Sequence, residues 1–241
     1  MITVIGPSIS IEDLREDALA RPDNAGRRWR GIQHGHLVDT LKTDIEHRGW
    51  RITKEHYATS PDKATAVGAF LLSNITGVET TPNVVFAIGF LNDNARRKAL
   101  QITVGASVVC CANGMCTGTI VLNRVHDHTI DLVRDIHGAI DRYSEAVKQI
   151  PSLIARLRSR TLSPEEASEI ILSSGRRGLI GWAAVGRIDK EYQNPTFRQH
   201  GVNTSWALLN AFTFAARKNI APTRQMETYQ KFLEMLPQQI N

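Results

Sequence analysis

VVFAIGFL (residues 84–91), ALQITVGASVVCC (99–111) and MCTGTIVLNRV (115–125) are three apolar, β-branched runs that follow one another with short, polar breaks. Such runs read as strands. Asn113-Gly114 sits between the last two, and both residues tolerate the positive φ of a type I′ hairpin turn. A helix follows at once. Its apolar residues fall at Val133, Ile136, Ile140, Tyr143, Val147, Ile150, Ile154 and Leu157, the a/d spacing of a heptad seam. Residues 50–57 and 65–72 add two more strands, joined by the turn-rich stretch 59–63. The connections are too short for parallel crossovers, so about five strands are expected in a mainly antiparallel meander. The fold class is α+β: a meander packed on a long helix, with a helical C-terminal part.

The chain has 241 residues, 42% hydrophobic and 22% charged, the composition of a globular protein with an ordinary core. No apolar run reaches the ~18 residues of a membrane span. Three clustered cysteines do not form a secreted disulfide framework, so a reducing cytoplasm is the expected compartment. Residues 1–150 hold 17 Lys/Arg and 17 Asp/Glu, whereas residues 151–241 hold 12 and 7. The whole excess of +5 therefore lies in the C-terminal part. A locally basic surface favours a polyanionic partner, because neutralising phosphates releases condensed counterions.

Two units are expected: 1–150, an α+β core, and 151–241, a basic helical part packed on it. Within the first, residues 10–20 read as a helix capped by Ser10, residues 21–30 as a basic loop, and residues 35–48 as an amphipathic helix stopped by Gly49. Pro151 is expected to kink or restart the long helix. Ser163-Pro164-Glu165-Glu166 is a helix start, and Ser173-Ser174-Gly175 reads as its stop. Residues 179–188, 203–218 and 223–236 are the remaining helices.

With a two-residue turn at Asn113-Gly114, Cys111 falls opposite Cys116, a geometry open to a disulfide or half of a metal site with His126 and His128. Packing as small core residues is the simpler reading, and no metal or cofactor is expected. His34-Gly35-His36 and His126-Asp127-His128 each lie near an acid, Asp39 and Asp127, but no companion motif accompanies them. They read as solvent-facing or capping histidines. No nucleophile–base set emerges, which leaves an enzyme as the least supported class.

The candidate binding residues are cations. Arg96, Arg97 and Lys98 form the tip of one hairpin. Arg156, Arg158 and Arg160 end the long helix. Arg176 and Arg177 lie in a glycine-punctuated loop (residues 175–181), followed by Arg187, where backbone N–H groups and arginines suit a phosphate. Trp206, Asn210 and Thr213 share one helix face and read as a core hydrogen-bond network.

Three segments carry a resemblance to a phage/plasmid-like protein family defined by a domain of unknown function (number nine hundred and thirty-two). Residues 32–49 followed by Trp50-Arg51-Ile52 look like its early helix and strand. Asn92-Asp93 through Val108-Val109-Cys110-Cys111-Ala112-Asn113-Gly114-Met115 is similar to its turn, strand and hairpin. Thr204-Ser205-Trp206-Ala207-Leu208-Leu209-Asn210-Ala211-Phe212-Thr213 looks like its C-terminal helix. The resemblance implies a mobile-element setting and no established activity. The meander-plus-helix layout also looks like the core of single-strand-annealing recombinases, a likeness of arrangement only. The resulting expectation is a non-enzymatic, homo-oligomeric protein that binds single-stranded nucleic acid. The alternative is an anti-defence protein that sequesters a nucleotide signal, or inhibits a host defence protein.

Overall fold

A computed structural model describes residues 9–16, 19, 22, 25–79, 81–108, 113–216, 220 and 222–237. Five strands, β1 (Arg51–Thr59), β2 (Thr65–Ser73), β3 (Val84–Asp93), β4 (Leu100–Val108) and β5 (Asn113–Arg124), form one sheet in the order β1-β2-β3-β4-β5. Every neighbouring pair is antiparallel. The helices are α1 (Ile11–Glu16), α2 (His34–His47), α3 (Leu132–Val147), α4 (Ile150–Ser159), α5 (Pro164–Arg176), α6 (Trp182–Gln193), α7 (Ser205–Ala216) and α8 (Pro222–Met235), with a 3₁₀ turn at Arg198–His200. The α+β meander expected from the sequence is the fold observed.

One face of the sheet carries Tyr57, Phe70, Phe86, Ile88, Phe90, Ile102 and Leu122, all buried. Helices α2 and α3 pack against each other on the sheet, α2 at β1 and α3 at β4 and β5. Gly68 stands between Tyr57 on β1 and Phe90 on β3 in one cross-strand row. A β-carbon at Gly68 would lie 2.5 Å from Phe90 Cε1 and 2.8 Å from Tyr57 Cδ1. The missing side chain lets the two rings close over the glycine, with centroids 6.2 Å apart.

The heptad face is consumed inside the chain. Ile136, Ile140, Tyr143, Val147, Ile150, Ile154 and Leu157 are at most 1% exposed, and Val133 alone, at 63%, faces solvent. The seam is therefore intramolecular and supplies no surface for self-association. The stretch is two helices. Lys148 and Gln149 separate α3 from α4, and Pro151 lies in the first turn of α4. This is the expected restart, because proline has no N–H to continue the ladder of α3.

The hairpin register corrects one sequence expectation. Asn113 pairs with Val108 and Gly114 with Ser107, so both residues lie within β5 rather than at the turn. Residues 109–112, among them Cys110 and Cys111, lie outside the described residues. Cys116 stands opposite Gly105, so the described register is not the one that would set Cys111 across from Cys116. The buried row fixes the pairing, with Ile102 opposite Leu122, and two irregularities around Thr103 shift it further. A buried face outweighs a favourable turn dipeptide in setting register.

Ser10 caps α1 as expected, accepting from Asp13 N at 3.1 Å while Asp13 Oδ2 accepts from Ser10 N at 2.8 Å. Ser163 and Glu166 form the reciprocal capping box of α5. That helix does not stop at Ser173-Ser174-Gly175 but runs to Arg176. Helix α7 is buried all round and is the hub of the C-terminal helices, touching α4, α6, α8 and β5. One hydrophobic cluster runs from Leu14 to Leu236, so the C-terminal helices share a core with the sheet. No helix of the described residues is long and apolar enough to cross a membrane.

Two glycine substitutions test this packing with opposite signs. Gly68→Ala forces a methyl between Tyr57 and Phe90 and is expected to cost about 1–3 kcal/mol. Gly138→Ala, inside α3, places its methyl at ordinary contact distance, 3.5 Å from Arg142 Nη1. It is expected to gain about 0.5–1 kcal/mol from helix propensity. Urea denaturation of both variants measures the two changes.

Candidate nucleic-acid interface

A meander brings alternate turns to the same end of its sheet. The β1–β2 turn, the β3–β4 turn and the segment leaving β5 all lie at one end, and the chain before α2 crosses it. Two asparagines fix that crossing by clasping one peptide. Asn94 Oδ1 accepts from Ile32 N at 3.0 Å, while Asn94 Nδ2 and Asn92 Nδ2 both donate to Ile32 O, at 2.9 and 2.8 Å. Farther back, Trp29 bridges Asp127, and His128 N donates to Arg28 O at 2.8 Å. A β-carbon at Gly26 would lie 4.0 Å from Arg96 Nη1.

The consequence is electrostatic. Arg27, Arg28, Arg30, Arg96 and His128 are exposed at this one end, with Lys98 half-buried beside them. Among the described residues Arg27, Arg28 and Arg30 make no ion pair. The nearby Asp127 is held below the usual carboxylate range by hydrogen bonds from the Thr129 hydroxyl and amide.

Beneath the cations lies a buried polar chain. His126 Nε2 donates to Asn92 Oδ1 at 2.7 Å, Asn92 Nδ2 donates to His34 Nδ1 at 2.8 Å, and His34 Nε2 donates to Lys63 O at 3.0 Å. The Ile32 carbonyl decides the direction. It demands the amide nitrogen of Asn92, which leaves the amide oxygen for His126 and makes His34 Nδ1 an acceptor. Both histidines are 3% exposed. Burial pushes the His126 pKa down, against a smaller upward pull from Asp93, so the ring is neutral at pH 7. The sequence reading of both H-x-H pairs as solvent-facing or capping is thus corrected for His34 and His126. The fold needs their ring nitrogens inside, where each bonds Asn92. A cavity of about 390 Å³ opens beside His34, lined also by Gln33, Lys63, Asn94, Glu16 and Asp62.

The hairpin tip divides by role. Asp93 is 1% exposed, and its carboxylate accepts from the Thr65 hydroxyl, Ala95 N, Lys98 N and the Arg97 guanidinium. Arg97 also pairs with Asp62 at 3.1 Å, and the Asp93 bond raises its pKa. Arg97 is therefore a brace for a buried carboxylate, whereas Arg96, at φ 63°, is exposed.

The other expected cations lie elsewhere. Arg158 donates to Pro82 O in the β2–β3 connection, at the opposite end of the sheet, and its guanidinium sits 5.1 Å over the Trp206 ring. Arg156 is exposed, and Arg160 pairs with Glu166 at 2.8 Å. Arg176 pairs with Glu169 at 3.0 Å, while Arg177 and Arg187 are exposed. The glycine-punctuated loop is a helix C-terminus. Gly178, at φ 67°, donates from its N–H to Gly175 O, and Leu179 N donates to Ser174 O. This is a Schellman motif, so those amides serve the helix and not a phosphate. Trp206 and Asn210 are buried as expected, but Asn210 Nδ2 donates to the Trp206 carbonyl, and the Trp206 indole N–H has no partner among the described residues.

The residues that build this end were visible in the sequence only as isolated signals. Asn92-Asp93-Asn94 directly after an apolar strand marks a turn, and nothing local says that its amides hold Ile32. No protein-family model, curated protein or solved structure matches the chain.

Two measurements test the buried chain. Asn92→Ala strands the His126 N–H and leaves the Ile32 carbonyl to Asn94 alone, and is expected to lower stability by about 2–4 kcal/mol in chemical denaturation. The depressed His126 pKa also has a sign. The unfolded ring, near its ordinary 6.5, binds a proton that the folded ring refuses. Its contribution is complete above about pH 6.5 and is lost as pH falls below it, by at most about 1.4 kcal/mol per pH unit. His126→Gln should flatten the decline between pH 6.5 and 5. His56 and His200, whose pKa values burial also lowers, supply what remains.

Proposed function

We propose that this protein binds single-stranded nucleic acid, and that the end of the sheet carrying Arg27, Arg28, Arg30, Arg96 and Lys98 holds the phosphate backbone. The observation that carries the reading is the convergence of these cations from two distant parts of the chain onto one surface. Arg27, Arg28 and Arg30, which make no ion pair among the described residues, exchange condensed counterions for phosphate contacts, which favours binding and makes it salt-dependent. The buried amide–imidazole chain beneath keeps the surface in one arrangement, so little ordering entropy opposes binding. The resemblance to a phage- and plasmid-borne family supports a mobile-element role in a bacterial host.

A second reading has its own observation. The 390 Å³ cavity beside His34 opens at the same end and suits a mononucleotide, with base inside and phosphates among the arginines. That is the chemistry of a protein that sequesters a nucleotide signal.

Fluorescence anisotropy with labelled oligothymidylate across a salt series tests the first reading. Arg27→Ala/Arg28→Ala/Arg30→Ala is expected to weaken binding at least about tenfold near 0.1 M salt and to flatten the log K versus log[salt] slope by roughly 2, about 0.7 per lost contact. Wild-type affinity and slope in the triple variant defeat it. If oligothymidylate never binds while a mononucleotide does, and the triple variant loses it, the sequestering reading takes its place.

A further inference from the structure

The turn between α5 and α6 presents an aromatic ring to solvent. Trp182, the first residue of α6, is 61% exposed and is the one aromatic among the large hydrophobic side chains that the described residues leave exposed. Its seat is built. A β-carbon at Gly175 would lie 3.2 Å from Trp182 Cζ3, 3.3 Å from Cε3 and 3.1 Å from Val185 Cγ2. A methyl at this position would press both side chains back by a few tenths of an ångström, and a glycine inside a helix is otherwise unfavourable.

The surroundings hold the ring and select its ligand. Arg177 N bonds Ser173 O, Gly178 N bonds Gly175 O and Leu179 N bonds Ser174 O, at 2.9–3.0 Å, so the turn under the indole is fixed. Arg177, two residues after Gly175, is the C-cap of α5, exposed and without an ion pair among the described residues. Along α6, Gly186 and Lys190 follow Trp182 at i+4 and i+8 on the same side of the helix. Nothing lies within 4 Å of a β-carbon at Gly181 or Gly186, so neither position crowds the turn. The one acid on that side, Asp189, accepts from Gln193 Nε2 at 3.0 Å.

We propose that Trp182 is a stacking platform for a base of single-stranded nucleic acid, with Arg177 and Lys190 against the adjoining phosphates. An exposed π-face with an exposed cation on each of the two helices that meet at it matches a base and its backbone, and it is sequence-tolerant because every base has such a face. The proposal rests on the single-strand reading for its ligand class, but it uses none of the residues at the sheet's end.

Intrinsic fluorescence of the full chain, titrated with unlabelled oligothymidylate, reads this residue. Trp50 and Trp206 are buried, and Trp29 is half-buried, so Trp182 is the indole most open to contact. The wild type should be quenched on binding, and Trp182→Ala should lose that quench and about tenfold in affinity. Its salt slope should stay unchanged, because a stack releases no counterions. Trp182→Phe should recover most of the affinity. Wild-type affinity in Trp182→Ala, with binding still lost in the Arg27/Arg28/Arg30 variant, overturns the platform and leaves the proposed function standing. Loss in Trp182→Ala with wild-type binding in the arginine variant does the reverse. A wild-type dimer that becomes monomeric in Trp182→Ala, with no oligonucleotide bound, makes this a self-association face and overturns the proposal.

Discussion

The peptide of Ile32 is gripped on both sides by amides from a single turn. Asn94 takes its N–H, and Asn92 and Asn94 share its carbonyl. Through this clasp the chain ahead of α2 is bound to the end of β3. Asn94 N also donates to Ala64 O, so the β1–β2 turn belongs to the same knot. His34 follows two residues later and completes its bonds to Asn92 and Lys63 as the first residue of α2. Buried amides of this kind admit one arrangement, because each alternative sets two acceptors or two donors face to face in a low dielectric. The position of α2, the path of the basic segment and the floor of the cavity all descend from it.

The same clasp explains why a charge count along the chain misplaces the basic surface. Counted by segment, the excess lies after residue 150. In the fold, several of those cations have local duties: Arg160 pairs with Glu166, Arg176 pairs with Glu169 and Arg158 covers Trp206. Arg27, Arg28 and Arg30 come from the electrically neutral part, yet stand together because the segment that holds them is tied across the sheet. The neutralising acids of that part are engaged elsewhere, Asp62 and Asp93 by Arg97 and Asp44 by Arg48 and His137.

Glycines mark places where the chain gives up stability for approach. Gly68 admits two aromatic rings across the centre of the sheet, and Gly175 admits an indole onto a helix. Gly178 ends α5 in the left-handed region. The first serves the core. The other two shape the turn that carries the exposed Trp182, whose neighbouring positions the sequence reads as a phosphate loop.

The α+β class, the five strands, the restart at Pro151 and the caps at Ser10 and Ser163 were legible from the sequence, because each depends on residues within a few positions of one another. Periodicity, turn chemistry and capping are local properties. The hairpin register was not, since the Asn113-Gly114 signal is local while the pairing obeys the buried row of Ile102 and Leu122 on two strands. The heptad seam was legible as an apolar stripe, but whether it faced a second copy or this chain's own core depended on what the sheet left uncovered. The division of Arg96-Arg97-Lys98 into exposed cation and internal brace needed the burial of Asp93. The union of His34 with His126 through Asn92 needed three segments far apart in sequence to meet. Hydrogen bonds and charge pairs act over a few ångströms of space, and only the tertiary fold decides which residues share them.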